Sequence, residues 1–103
     1  MTDTFKQPDA CTDMGEVRAG VDATDRELMA LLARRFGYMR AAARIKASRD
    51  AVRDERRKAA VVSAAVADAA ARGLPAEAIG DIWDRLVETS IAYEFEEWDR
   101  LRS

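Results

Sequence analysis

The sequence contains no histidine among its 103 residues. Histidine is the usual general base near neutral pH and the commonest metal ligand in proteins. Any chemistry in this protein therefore depends on arginine, lysine, carboxylate and hydroxyl groups. We expect neither a metal ion nor a cofactor.

Cysteine is almost as scarce, because Cys11 stands alone and cannot form a disulfide within the chain. A reducing compartment is the ordinary setting for such a sequence. The chain also lacks an uninterrupted apolar run long enough to span a membrane, and residues 1–11 contain no apolar segment of signal-peptide length. We therefore expect a cytoplasmic protein with no membrane partner.

The net charge is small, −2 at pH 7, but the charges are segregated along the chain. Residues 34–58, called the basic segment below, contain ten Lys or Arg against three acidic residues, whereas residues 74–103 contain eight acidic residues against three arginines. The near-neutral total gives no reason to expect nucleic acid as a partner. Apolar residues form 49% of the chain and charged residues 35%, which is typical of one well-patterned helical domain.

A heptad pattern runs from Val17 to Ile45. Positions 17, 21, 24, 28, 31, 35, 38, 42 and 45 step by four and three, and they carry Val, Val, Thr, Leu, Leu, Arg, Tyr, Ala and Ile. The pattern predicts one continuous helix from about Met14 to Ser48, roughly 50 Å long at about 1.5 Å per residue. A compact domain of this size is narrower than that, so a second copy of the chain is the simplest cover for the apolar stripe. We predict an intertwined homodimer.

Two shorter helices follow the long one. The first covers about residues 55–72 and carries a stripe of small residues, and Gly73 is placed to end it. The second begins near Ala76 and continues almost to the C-terminus. The predicted fold class is all-α, with three helices, one of them long, in an intertwined dimeric bundle. Residues 1–11 are predicted to form a flexible N-terminal arm and residues 12–103 the helical domain.

Capping signals precede the first two helices. Thr12 and Asp13 offer an N-cap to the long helix, and Glu16 completes a capping-box-like pattern. Asp50 or Asp54 can cap the second helix in the same way. We therefore expect these helices to begin immediately after their capping residues.

Several polar residues stand where the helical pattern expects apolar ones. Arg35 interrupts the heptad stripe, and Lys46 lies on the same face eleven residues later, so the two cations can hold one small dianion between them. Arg18 can reach that site only from the partner chain of an antiparallel dimer. Ser90 and Glu94 are stacked on the inner face of the last helix. From the residues alone, Glu94 is either a core carboxylate paired with an arginine of the long helix or a catalytic group.

The identity and spacing of these residues resemble those of a known family, the all-helical chorismate mutases, over about residues 13–101. The positions that carry the resemblance are Arg18, Val21, Asp22, Leu28, 31–35, Lys46, 52–54, Arg57, Ser90 and Glu94. Within the family, residues 34–48 together with Cys11 and Thr12 are most similar to the isochorismate pyruvate lyase branch. The resemblance implies an intertwined helical homodimer with two equivalent sites for a small dicarboxylate.

The resemblance also implies a role for four charged residues. Arg35 and Arg18 of the partner subunit would bind the two carboxylates of chorismate, and Lys46 would reach its ether oxygen and one carboxylate. Glu94 would face the ether oxygen. A Claisen rearrangement needs no nucleophile and no proton transfer, so cations and hydrogen-bond donors that stabilise charge on that oxygen suffice. Glu94 can take part only when protonated, because a carboxylate would repel the developing charge.

The other positions implied by the resemblance line the pocket. Arg57 and the backbone near Asp54 would stand beside the ring carboxylate, and Ser90 would stand at the pocket edge. The sequence departs from the common pattern at Lys58, where many members have a glutamate that binds the ring hydroxyl. These positions complete the predicted set of substrate-binding residues.

Three functional interpretations follow, and the favoured one is a chorismate mutase that converts chorismate to prephenate. The alternative is an isochorismate pyruvate lyase that releases salicylate and pyruvate. Residues 34–48 and Lys58 favour the lyase, whereas Arg53, Asp54 and Ser90 favour the mutase. The third interpretation is a helical dimerisation or nucleic-acid-binding module that uses the basic segment.

Overall fold

The computed structural model describes residues 5–103, and across them it contains α-helices and short 3₁₀ turns with no β-strand. Helix α1 covers Met14–Ile45, α2 covers Glu55–Ala71 and α3 covers Ala76–Leu101. The all-α prediction with one long helix and two shorter ones is confirmed. The chain divides into two compact units, Met1–Phe36 and Gly37–Ser103, which are described separately below.

In the first unit, the start of α1 is fixed by the capping residues expected from the sequence. Asp13 Oδ1 accepts a hydrogen bond of 2.8 Å from the backbone N–H of Glu16. Glu16 in turn accepts from the backbone N–H and the hydroxyl of Thr12, at 2.9 and 3.0 Å. An ion pair with Lys6 is the largest of several contacts that lower the pKa of Glu16. These bonds satisfy N–H groups that a first helical turn leaves free.

The residues before α1 lie along its first turns. A 3₁₀ turn forms over Pro8–Ala10, and a Cβ added at Gly20 would lie 3.8 Å from the Lys6 carbonyl oxygen. A groove of about 300 Å³ lies between this segment and α1, and its lining includes Phe5, Cys11 and Val21. Flexibility of residues 1–11 stays a prediction, and the first four of these residues lie outside the described part of the chain.

In the second unit, α1 ends at Ile45, three residues before the predicted boundary at Ser48. The last backbone bond of the helix runs from the Lys46 N–H to the Ala42 carbonyl, at 2.9 Å. A 3₁₀ turn over Arg49–Ala51 then leads to the start of α2. Lys46 therefore lies at the end of the helix, where the chain changes direction.

Local signals also determine both ends of α2. Asp54 is its N-cap and accepts a hydrogen bond of 3.0 Å from the backbone N–H of Arg57. At the other end Gly73 has a φ of 72°, and the N–H of Leu74 donates to the carbonyl of Ala69 at 2.8 Å. This is a Schellman ending, which favours glycine at the residue with positive φ.

Helices α2 and α3 approach each other closely at Gly80, which has no side chain. A Cβ added at Gly80 of α3 would lie only 2.9 Å from Val66 Cγ2 of α2. A buried apolar cluster of Val52, Val87 and Ile91 lies in the same unit. Partly buried residues that pack against this cluster are Val61, Val62, Phe95 and Trp98. The cluster fixes α3 against the start of α2.

Most apolar residues of the heptad stripe are exposed in the single chain. In the first unit Leu28 is 49% and Leu31 is 52% exposed. In the second unit Tyr38 is 65% and Ile45 is 75% exposed. The exposures agree with the prediction that the stripe needs a cover outside the chain. Within residues 5–103, no helix is both long and apolar enough to cross a membrane.

Candidate functional site

The second unit contains a buried ion pair between the end of α1 and the middle of α3. Lys46 Nζ lies 2.7 Å from Glu94 Oε2, and it donates a hydrogen bond of 3.3 Å to the carbonyl of Val52. Glu94 is only 4% exposed, whereas Lys46 is partly exposed. The two predicted catalytic residues with opposite charges therefore meet at one place.

The ion pair keeps unused hydrogen-bonding capacity. Glu94 Oε2 is close to the ammonium, but no donor within residues 5–103 makes a well-aligned hydrogen bond to it. An ammonium has three donors and a carboxylate oxygen has two lone pairs. Lys46 donates one hydrogen bond to Val52 and lies against Glu94, so within residues 5–103 at least one of its three donors is left for a ligand.

Burial makes this arrangement energetically demanding. Removing charges from water opposes folding, and a buried ion pair recovers that free energy only with good geometry and additional hydrogen bonds. Glu94 lacks an aligned bond at Oε2. Such incompletely satisfied groups are typical of sites where a ligand supplies the missing contact.

Ser90 lies one helical turn before Glu94 on the same face of α3. It is 3% exposed, and its hydroxyl donates a hydrogen bond of 2.7 Å to the carbonyl of Leu86. Val87 and Ile91 on either side are also buried. This face of α3 therefore presents two polar groups within an apolar surface.

Asp54 and Arg57 lie at the start of α2. The Asp54 carboxylate accepts the backbone N–H of Arg57 and so has a defined structural role as the helix cap. Both residues are exposed. Their predicted contacts with a substrate stay predictions.

Arg18 and Arg35 belong to the first unit and are described there alone. Arg18 is exposed on α1, and Arg35 is half-buried although the heptad pattern would place an apolar residue at its position. Their predicted binding of carboxylates stays a prediction.

Lys58, where the sequence departs from the common family pattern, takes part in a second ion-pair cluster. Its ammonium lies 2.8 Å from Glu88 Oε2 and 3.1 Å from Asp84 Oδ1. Arg53 also binds Glu88 through two hydrogen bonds of 2.9 and 3.0 Å. Hydrogen bonds from Arg53, and next from Lys58, lower the pKa of Glu88 to about 2. Glu88 raises the pKa of Lys58, with a smaller contribution from Asp84.

The sequence reasoning missed the residues that hold the backbone of Lys46. Trp98 and Arg102 both donate hydrogen bonds to the Lys46 carbonyl. Their spacing gives a signal, because residues 94 and 98 of α3 and residue 102 at its C-cap follow one another at intervals of four. Among the described residues, no group of three or more His, Cys, Asp or Glu is placed to hold a metal ion.

Two comparisons relate the chain to known proteins. Residues 17–95 match the family model for chorismate mutase type II. The chain is also similar to the isochorismate pyruvate lyase of Pseudomonas aeruginosa, with 30% identity over 98 residues that cover 95% of this chain and 97% of the relative.

Proposed function

The chain belongs to the chorismate mutase type II family, and we propose that it catalyses the rearrangement of chorismate to prephenate. The observation that carries the proposal is the buried pair of Lys46 and Glu94 with its unused hydrogen-bonding capacity. The matched residues 17–95 include both members of the pair.

In the proposed reaction, one carbon–oxygen bond of the ether breaks while a carbon–carbon bond forms between the enolpyruvyl arm and the ring. No proton is gained or lost, so the enzyme must hold the folded conformation of the substrate and stabilise negative charge on the ether oxygen. The remaining donor of Lys46 stabilises that charge. When its carboxyl group is protonated, Glu94 donates a second hydrogen bond to the same oxygen.

The rest of the proposed site binds the two carboxylates of the substrate. Arg35 and Arg18 of the partner subunit form charge-assisted hydrogen bonds with them. The ring side of the pocket is lined by Arg57, by the backbone near Asp54 and by Ser90. The exposure of Arg57 and the half-burial of Arg35 are compatible with these roles.

A homodimer is part of the proposal, because Arg18 must come from a second chain. It is supported by the exposed apolar residues of α1, among them Leu28, Leu31 and Ile45. Sedimentation at micromolar concentration should give a dimer, and the unfolding midpoint should rise with protein concentration. A folded monomer under those conditions would remove the shared site from the proposal.

Subunit mixing tests whether Arg18 acts across the interface. Arg18→Ala and Arg35→Ala should each be nearly inactive, but an equal mixture that is unfolded and refolded should recover about a quarter of the parental activity. Half of the dimers are then mixed, and half of their sites contain neither substitution. If both arginines acted in the site from the same chain, confirmed mixed dimers would stay inactive.

An isochorismate pyruvate lyase is the second candidate. It is supported by the similarity to the Pseudomonas enzyme of that name. It is also supported by Lys58, which stands where many chorismate mutases have a glutamate and whose ammonium is held by two carboxylates. Purified protein should be incubated separately with chorismate and with isochorismate. Prephenate from chorismate at the higher kcat/KM supports the mutase, whereas salicylate and pyruvate from isochorismate at the higher value would make the lyase the main activity.

A nucleic-acid-binding module is less well supported by the charges of the basic segment. Arg49 pairs with Asp99, and Arg53 and Lys58 both pair with Glu88. These cations are largely neutralised within the second unit, which leaves less positive charge for phosphates. The cytoplasmic location and the absence of a cofactor stay predictions.

A further inference from the structure

The C-terminal end of α1 is capped by side chains from the end of α3. Trp98 Nε1 donates a hydrogen bond of 3.1 Å to the Lys46 carbonyl. Arg102 Nη2 donates to the same oxygen at 2.9 Å, and its Nη1 donates to the carbonyl of Ala43 at 3.0 Å. The last carbonyls of a helix lack partners within the helix, so these three bonds satisfy groups that would otherwise need water.

The two capping side chains also hold each other. The Arg102 guanidinium carbon lies 4.2 Å from the centre of a Trp98 ring, and Nη1 donates a further bond of 3.3 Å to the Trp98 carbonyl. A planar cation over an aromatic face is attracted to it, and a cation is favourable at the negative end of a helix. Trp98 and Arg102 therefore form one capping unit, called the α1 clamp below.

Lys46 is consequently held at both ends by α3. The α1 clamp binds its backbone carbonyl, and Glu94 binds its ammonium. A free helix end frays, and a lysine side chain has several rotatable bonds. Fixing the backbone at this point restricts the positions that the ammonium can reach.

We propose that Trp98 and Arg102 are positioning residues that hold the backbone of Lys46 so that its ammonium stays beside Glu94 with one donor directed to the substrate. The consequence for catalysis rests on the proposed function of Lys46. The restraint of the Lys46 backbone by Trp98 and Arg102 does not depend on that function, and it can be measured without a substrate.

Three single substitutions separate this role from general stability. Trp98→Phe removes the indole N–H while an aromatic ring remains against the core, and Arg102→Gln removes the guanidinium from an exposed position. Arg100→Gln is the matched control, because Arg100 lies on the same last turn of α3 but its side chain binds Glu97, at 2.6 Å, and not the end of α1. Because Arg102 is exposed and outside the core, Arg102→Gln should fold, and it can still test the proposal if Trp98→Phe does not fold.

The first readout is amide hydrogen exchange by NMR. The Lys46 N–H donates to Ala42 in the turn that the clamp holds. Losing one clamp bond should accelerate its exchange about three- to tenfold, as expected for one hydrogen bond. The Leu74 N–H, which donates to Ala69 at the end of α2, is the internal reference and should not change. Unaltered exchange at Lys46 in both folded clamp variants would overturn the proposal.

The second readout is kinetic. Each clamp variant should lower kcat about three- to tenfold with a smaller change in KM, whereas Arg100→Gln should match the parent. In a Lys46→Met background the clamp substitutions should have no further effect on the residual rate, because the residue they position is gone. A full additional loss in that background would show a merely structural role and would also overturn the proposal.

Failure of the proposed function gives a different pattern. A parent protein that converts neither chorismate nor isochorismate, with faster Lys46 exchange in the clamp variants, would refute the enzyme proposal while supporting the hold on Lys46. An active parent with unaltered exchange and unaltered kcat in the clamp variants would refute the clamp alone.

Discussion

Two of the glutamates of helix α3, Glu88 and Glu94, are each paired with a lysine, but their surroundings differ. Glu88 has a side chain that is 34% exposed, and it binds Lys58 and both terminal nitrogens of Arg53. The Glu94 side chain is 5% exposed, and its Oε2 has Lys46 beside it without an aligned hydrogen bond. The partly exposed carboxylate of Glu88 is therefore well satisfied, and the buried carboxylate of Glu94 is not.

This difference indicates that the ion pairs of Glu88 have a structural role, whereas the Lys46–Glu94 pair is suited to bind a ligand. Water screens ion pairs that are partly exposed, so several partners around Glu88 are compatible with a modest stabilising role. A buried and incompletely bonded pair opposes folding unless another group completes it. We infer that the substrate completes the Lys46–Glu94 pair. Matched substitutions in the two pairs test this inference.

The largest expected effect comes from the two lysines. Lys46→Met should lower kcat/KM on the order of 10²- to 10³-fold, because it removes a cation that stabilises the developing charge. Lys58→Met, with the same chemical change, should leave kcat/KM within about twofold of the parent, because the Lys58 ammonium is engaged by Glu88 and Asp84. Rates should be normalised to the folded fraction measured by circular dichroism. Equal losses in both variants would contradict the distinction between the pairs.

The two glutamates sharpen the comparison. Glu94→Gln keeps a hydrogen-bond donor of similar size, so it should stay active at neutral pH. Glu94→Ala should lose activity on the order of 10²-fold, because the donor is gone. Glu88→Gln should keep kcat/KM within about twofold of the parent, because Glu88 lies outside the proposed site. A Glu94→Ala protein with parental kcat/KM would remove Glu94 from the catalytic residues.

The smallest effect is expected in acid stability. Because the pKa of Glu88 is lowered from its ordinary value of 4.5 to about 2, chiefly by Arg53, its ionised form favours the folded state above pH 4.5. This contribution is lost as the pH falls from about 4.5 to about 2. The Tm of Glu88→Gln should therefore be slightly lower than that of the parent at pH 7, and the two should converge near pH 2. A constant difference across this range would contradict the assigned ion pairs.

Much of the fold was predictable because the relevant signals are local. Asp13, Asp54 and Gly73 mark helix boundaries through bonds to nearby backbone groups, and the structure contains those bonds. The end of α1 was predicted three residues too late, at Ser48. Trp98 and Arg102 bind the last turn from more than fifty positions away, and such contacts leave no periodic pattern around Ile45.

The candidate site was predictable only in part for the same reason. Polar residues on an apolar face identified Ser90 and Glu94, and the structure shows both of them buried. The meeting of Glu94 with Lys46 requires the end of α1 to lie beside α3, which spacing within one helix does not determine. The family resemblance supplied that pairing, and the structure gives its distance.

The central claim is most directly tested by following the two lysines during ligand binding. The side-chain Cε signals of Lys46 and Lys58 should be assigned by NMR in the labelled protein and followed during titration with a bicyclic dicarboxylate shaped like the Claisen transition state, which cannot undergo the rearrangement. We predict a saturable shift of the Lys46 signal and no comparable shift of the Lys58 signal. A saturable shift of Lys58 with an unchanged Lys46 signal would contradict the account.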